Sequence, residues 1–204
     1  TDDCGLTNTT SATFTIVDTT VPTIDVAATD STVECDGSGN TAALNAWLAS
    51  YGTTGAASDV CGGVTWTNNF TALSDDCGNT GSATVIFTAT DDCGLTNTTS
   101  ATFTIGDTTD PTWLAEPSDM LTVECNPATN AAAFTTWLGS FSGSDDCGTA
   151  TVSSNSSGLS NGCGGTGTET VTFTLTDECG NTISKDATFT IVDTTVPTID
   201  VAAT

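Results

Sequence analysis

The sequence predicts an all-β fold of tandem immunoglobulin-like β-sandwich repeats, each with one short inserted helix and two disulfides. Three observations predict it. Residues 1–16 recur letter for letter at 90–105 and in a diverged form at 176–191. That is a period of about 87 residues, too long for a solenoid and right for one small β domain per repeat. Short Thr-rich segments alternate apolar and polar residues with the period of two that half-buried strands require. Cysteines recur at matching places in each repeat, nine in all.

The period sets the expected domains. Residues 1–21 read as the closing strand and linker of a preceding repeat, 22–110 and 111–196 as two full repeats, and 197–204 as the start of the next. Residues 192–204 repeat 17–29, so the chain reads as an excerpt of a longer periodic polymer, or as a subunit whose two ends carry the same strand.

In order, residues 1–17 are expected to form a Cys-bearing turn and a strand with Ala12, Phe14 and Ile16 on one face. A lone strand cannot bury that face, so it must complete another sheet. Pro22 ends the linker of residues 18–22, where it excludes helix. Strands are expected at 23–26 and 32–35. Residues 41–51 then place Leu44, Trp47, Leu48 and Tyr51 at helical spacing, with Asn40 or Thr41 as N-cap and Gly52 as the stop. The second repeat matches at 131–139. Trp47 and Trp137 read as core residues, with a sugar-stacking platform as the alternative. Strands follow at 64–70 and 83–90, the latter with Val85, Phe87 and Ala89 on its inner face, matched by Val171, Phe173 and Leu175. A strand at 101–105 closes the domain.

Composition excludes several functions. Lys185 is the only basic residue against 25 acidic ones, with no histidine, and the formal charge is −24. Affinity for phosphate backbones comes from Lys and Arg, so nucleic acid is excluded as a partner. The usual catalytic base and oxyanion clamp are also missing, and the chain is not expected to be an enzyme. No apolar run reaches membrane-spanning length.

Four cysteines per repeat suit either zinc or disulfides. Structural zinc sites want close Cys-x-x-Cys pairs, and none occurs. Disulfides are therefore expected, and with them an extracellular or cell-surface location. Cys77 and Cys93 flank one strand, which separates them by roughly 30 Å at about 3.3 Å per residue. If 64–70 and 83–90 are antiparallel neighbours, Cys61 and Cys93 share one end. The expected pairs are Cys61–Cys93 with Cys35–Cys77, and Cys147–Cys179 with Cys125–Cys163. Cys35–Cys93 with Cys61–Cys77 stays open. Cys4, the ninth, is expected to bond a neighbouring repeat.

No cofactor is required, but calcium is a candidate. Asp2-Asp3, Asp91-Asp92 and Asp177-Glu178 are paired acids in equivalent turns, and hard oxygen ligands near domain junctions suit Ca²⁺. The competing reading is that these acids cap backbone amides within the turns. Asn8, Asn69, Asn97 and Asn155 each stand in an Asn-x-Ser/Thr acceptor pattern.

The Thr-Asp-x-Cys-Gly turns at 90–94 and 176–180, the Asp-Thr-Thr-x-Pro linkers at 107–111 and 193–197, and the Val33-Glu34-Cys35 and Val123-Glu124-Cys125 segments resemble the HYR-like repeats. These are immunoglobulin-like modules of large secreted adhesins and surface proteins, notably of Bacteroidetes. The resemblance implies an extracellular β-sandwich array used as a stalk, adhesin or fibre, without catalysis. Asp-Ser/Thr-Thr triplets are similar to the O-glycosylation motif of exported proteins of that group, which would make Thr19, Thr108, Thr194 and Ser31 acceptors. The expected function is a structural repeat segment of an extracellular filament or stalk, glycosylated and partnered by copies of itself or adjacent repeats. The alternative is an adhesin module gripping carbohydrate or a cell surface through its loops.

Overall fold

The computed structural model describes residues 1–160 and 162–200. The fold is all-β, with twelve strands and two short α-helices among the described residues. In the first repeat, β1 (Thr23–Val26) and β2 (Ser31–Glu34) precede α1 (Thr41–Ala49), followed by β3 (Ala56–Ser58), β4 (Val64–Asn68), β5 (Gly81–Asp91) and β6 (Thr96–Gly106). The second repeat follows the same order: β7 (Thr112–Ala115), β8 (Met120–Glu124), α2 (Asn130–Leu138), β9 (Ser142–Ser144), β10 (Ala150–Ser154), β11 (Gly167–Asp177) and β12 (Thr182–Val192).

Each repeat has a four-stranded sheet and a two-stranded one: β2-β6-β5-β4 with β1-β3, then β8-β12-β11-β10 with β7-β9. In each larger sheet the long central pair follows from Thr-rich alternation over eleven residues. β4 runs antiparallel to β5, Val64 opposite Asp91, as the cysteine argument assumed. β2 instead joins β6 in parallel, Glu34 opposite Gly106, and β8 joins β12 likewise. This parallel edge has no signature in the alternation pattern, because both strands of the pair are short on evidence of direction.

The chain falls into two compact units: Thr1–Asp30, Ala46–Thr71 and Thr84–Thr102; and Ser31–Asn45, Ala72–Ala83 and Phe103–Thr204. In the first, Val85, Phe87 and Ala89 are fully buried, and Trp47 meets Phe87 edge-on at 5.3 Å. The Trp47 indole N–H donates to the Thr29 carbonyl at 3.2 Å. In the second, Trp137, Val171, Phe173, Ala187, Phe189 and Ile191 form the core, with the Trp137 N–H donating to the Ser118 carbonyl at 2.9 Å. Both tryptophans are buried and anchored by their only polar atom, so they are core and not a sugar platform. Outside this core, hydroxyls pair across β11 and β12: Thr168 with Thr190 at 2.9 Å and Thr170 with Thr188 at 3.0 Å.

Two local expectations change. Asn40 does not cap α1 with its side chain; its amide turns back to donate to the Glu34 carbonyl at 2.7 Å, while its side-chain oxygen accepts from Asp36 N–H at 3.1 Å. Residues 1–22 form no strand, and Phe14 and Ile16 are exposed. The identical residues at 96–105 are a strand because β5 and β2 flank them. Of the expected opening of a further repeat at 197–204, residues 201–204 lie outside the described residues.

Candidate functional site

The candidate site is built from the cysteine-bearing ends of the long strands and the carboxylates beside them. Strand direction fixes which cysteines share an end. β5 starts after Cys77 and ends before Cys93, and antiparallel β4 starts after Cys61, so Cys61 and Cys93 lie at one end of the first repeat. β2 runs parallel to β6 and leads into Cys35, whose N–H donates to the Gly106 carbonyl at 2.8 Å, so Cys35 lies at the Cys77 end. Cys61 with Cys93, and Cys35 with Cys77, thus share an end as the spacing predicts.

The bonding does not follow it. The disulfides are Cys35–Cys147, with Cα atoms 5.9 Å apart, and Cys77–Cys179, at 5.1 Å. Cys35 and Cys77 do not bond each other, nor do Cys147 and Cys179, and the open alternative of Cys35–Cys93 with Cys61–Cys77 is not found either. The reason is that the two cysteines at one end of the first repeat meet the two at the opposite end of the second. Equal spacing within each repeat carries no information about that. Cys61, Cys93, Cys125, Cys163 and Cys4 are free thiols, all exposed except the half-buried Cys125.

Backbone detail at this junction demands glycine. The Asn79 N–H donates to the Cys147 carbonyl at 2.8 Å. Gly78 has φ +56°, and a Cβ there would lie 1.8 Å from the Cys147 carbonyl oxygen. A Cβ on Gly37 would lie 2.6 Å from the Asp146 carbonyl oxygen. Only a bare backbone permits this approach.

The Asp107 and Asp145 carboxylates lie within 4.8 Å of each other and of the Cys147 sulfur, which its bond to Cys35 removes as a ligand, and Asp18, Asp59 and the Cys61 thiol gather in the same way in the first repeat. Burial pushes the Asp107 carboxyl up from its ordinary value; the Thr109 N–H pulls the other way, and Asp145, Asp177 and Glu34 add like-charge repulsion. Burial also acts to raise Asp177, but hydrogen bonds from Asn181, Gly180 and Cys179 outweigh it and leave the group lowered. Asp91, its counterpart, is buried with Oδ2 unpartnered, because Leu95 stands where Asn181 supplies an amide.

The carboxylates expected to bind calcium spend themselves mainly on turns. Asp2 Oδ1 accepts from Cys4 and Leu6, Asp91 Oδ1 from Cys93 and Leu95, and Asp177 Oδ1 from Cys179, Gly180 and Asn181. Asp92 Oδ2 accepts from Gly63 N–H at 2.8 Å, and Glu178 from the Thr149 hydroxyl at 2.6 Å. Asp3 is exposed. The linker acids Asp18 and Asp107, and Asp59 and Asp145 beside the cysteines, are the ones that gather; the matched two-residue spacing of Asp59 from Cys61 and of Asp145 from Cys147 was the available signal.

Glu34 collects the Thr108 N–H at 2.7 Å, the Thr108 hydroxyl at 3.0 Å and the Thr109 hydroxyl at 2.9 Å. Glu124 binds Thr194 and Thr195 in the same way. These bonds hold both glutamates below the ordinary carboxylate range. They also occupy the hydroxyl protons of two expected O-glycan acceptors, whereas Thr19 is exposed and Ser31 opens β2. Among the sequons, Asn8 is exposed, Asn69 and Asn155 accept from Ile86 and Thr172 N–H, and Asn97 donates to the Pro22 carbonyl.

No family model matches the chain, and no curated protein matches it. Solved structures with which it aligns include Drosophila N-cadherin EC1-4, at 9% identity over 85% of this chain and 50% of that one, TM-score 0.34. The protocadherin gammaB7 EC3-6 cis-dimer aligns at 14% identity over 55% and 32%, TM-score 0.27, and the titin fragment I67-I69 at 11% over 85% and 66%, TM-score 0.29. The chain spans half the length of the N-cadherin fragment. At these scores the alignments transfer neither a family nor a function.

Proposed function

We propose that this chain is a structural segment of an extracellular filament or stalk, a tandem array whose successive repeats are locked by paired disulfides. One observation carries the reading: Cys35–Cys147 and Cys77–Cys179 join one sequence repeat to the next at positions that recur in every repeat. A binding module needs its own loops presented; it has no need of two covalent ties to its neighbour. Disulfides of this kind persist in oxidising compartments, which supports the extracellular location. The HYR-like assignment rests on its motifs alone. O- and N-linked sugar on Thr19, Thr108, Thr194, Ser31, Asn8, Asn69, Asn97 and Asn155 belongs to the same reading, and an intact mass equal to the bare polypeptide from the native source would remove it.

Imaging of the native source with an antibody to the chain is expected to label filaments that fall apart or soften under reductant. Diffuse label, together with binding on a carbohydrate array that survives reduction, would favour the adhesin module instead.

Calcium is the second reading. The Asp107 carboxyl is held up by burial beside Asp145, Asp177 and Glu34, a like-charge cluster that a divalent cation would relieve. Calcium is expected to raise the melting temperature and a chelator to reverse it. An unmoved transition at millimolar excess of chelator ends the idea.

A further inference from the structure

The formed junction has two halves. One is Cys35 and Cys77 with Gly78; the other is Cys147 and Cys179 with Gly148. Each repeat carries both halves at opposite ends. The first repeat's second half is Cys61 and Cys93 with Gly62, and the second repeat's first half is Cys125 and Cys163 with Gly164. These four are thiols, three of them exposed.

The unbonded halves are already built like the bonded ones. Cys61 N–H donates to Asp59 at 2.8 Å, as Cys147 does to Asp145 at 2.7 Å. Cys93 N–H donates to Asp91 at 2.9 Å, as Cys179 does to Asp177 at 2.8 Å. Asp18 and Asp59 gather at Cys61 as Asp107 and Asp145 gather at Cys147. On the other face, Gly164 keeps the left-handed φ of +65° that Gly78 has at +56° beside the Cys147 carbonyl. Cys125 N–H donates to the Val192 carbonyl at 2.7 Å, as Cys35 does to Gly106. The contact residues differ at three places: Pro127 stands where Gly37 approaches Asp146, Val60 stands where Asp146 offers its carbonyl, and Gly165 stands where Asn79 donates its backbone N–H to Cys147.

Taking the tandem-array reading as given, we propose that these halves join copies of this chain head to tail: Cys125 bonds Cys61, and Cys163 bonds Cys93, of the next copy. The chemistry is thiol–disulfide exchange with a small-molecule disulfide such as oxidised glutathione. One cysteine thiolate attacks a glutathione sulfur and expels a glutathione thiolate, which takes up the proton the cysteine lost. The opposing cysteine then displaces the second glutathione. Each junction forms two S–S bonds from four thiols and converts two glutathione disulfides to four thiols.

Two features make the reaction slow and conditional. The Asp18 carboxylate, with burial, raises the Cys61 thiol, and burial followed by Asp18 raises Cys93, so the thiolate forms only at alkaline pH. Two chains of charge −24 also repel, and salt screens that repulsion over about 10 Å at 0.1 M.

The test oxidises the full chain carrying Cys4→Ser, so that the ninth thiol cannot exchange. Equal amounts of ¹⁵N-labelled and unlabelled chain are incubated with glutathione redox buffer at alkaline pH in high salt, then digested without reduction and mapped by mass spectrometry. The expected products are mixed-isotope pairs Cys125–Cys61 and Cys163–Cys93, in a multimer ladder collapsed by reductant. Cys61→Ser should remove only the first pair. Same-chain Cys61–Cys93 or Cys125–Cys163 bonds, or thiols that stay free, overturn the proposal. If Cys35–Cys147 and Cys77–Cys179 persist in those maps, the array reading survives its failure; if they are absent, that reading falls as well.

Discussion

Pulling the chain from its ends distinguishes the disulfide pattern, by length, from the within-repeat pairing of Cys35–Cys77 with Cys61–Cys93 and from a chain without disulfides. With Cys35–Cys147 and Cys77–Cys179 intact, the shortest covalent path runs through residues 1–35, crosses to 147, follows the chain to 179 and on to 204. That is about 91 peptide links, or about 320 Å at ~3.5 Å per link. Reduction frees the whole chain, about 203 links and about 710 Å. The within-repeat pairing, Cys35–Cys77 with Cys61–Cys93 and its counterpart, would leave a path of about 430 Å. Single-molecule force spectroscopy on chains with free thiols blocked by maleimide should therefore read about 320 Å, rising by about 390 Å when a phosphine reductant is added. An oxidised contour near 430 Å or 710 Å would refute the cross-repeat connectivity. Each bond also closes a loop of more than 100 residues. In the chain-entropy model a loop of ~100 residues is worth about 4.7 kcal/mol, although overlapping loops share part of it.

Three further outcomes follow from named contacts. Gly78→Ala adds a methyl group 1.8 Å from the Cys147 carbonyl oxygen at a left-handed φ; it should cost at least about 1–3 kcal/mol and leave Cys77 and Cys179 titrating as thiols in a colorimetric count. Trp137→Ala removes the centre of the second core and its bond to Ser118; a loss of about 3–5 kcal/mol, or a melting point lower by about 10 °C, is expected by calorimetry. Glu34, Glu124, Glu178 and Asp177 have folded-state values below their ordinary 4.5 and 3.8, so their stabilisation is present above those values and lost as pH falls through the depressed ones. Asp107, raised, works in the opposite sense, gaining stability on protonation. With more lowered groups than raised, the melting point measured in high salt should fall between pH 6 and pH 3; a rise would contradict the assignment.

Much of each domain is legible in the sequence because alternation and helical spacing are local. Val85, Phe87 and Ala89 face inward as their period requires, and α1 and α2 lie within a residue or two of the expected helices. The short strands Ala56–Ser58 and Ser142–Ser144 escape notice, since three small residues carry no periodicity. Context decides the rest. Residues 96–105 are a strand and the identical residues 7–16 are not, so the same letters have two fates according to whether β5 and β2 lie alongside. Disulfide partners are hidden for a related reason. A repeat specifies which cysteines share an end, but in a periodic chain every end has two equivalent suitors, one in its own repeat and one in the next. The carboxylate cluster is half legible: the acids are visible, but which of them cap turns and which converge depends on the fold.

The crossed disulfides change what a single backbone break can do. A cut anywhere between residues 35 and 179 leaves two pieces that are still one molecule, because either Cys35–Cys147 or Cys77–Cys179 bridges the gap. Where proteases act and resynthesis is remote, this amounts to redundant wiring: parting the two ends by cuts within residues 35–179 takes one in each of the intervals 35–77, 77–147 and 147–179, or a single cut and a reductant. A nicked chain should run at full mass until reduced.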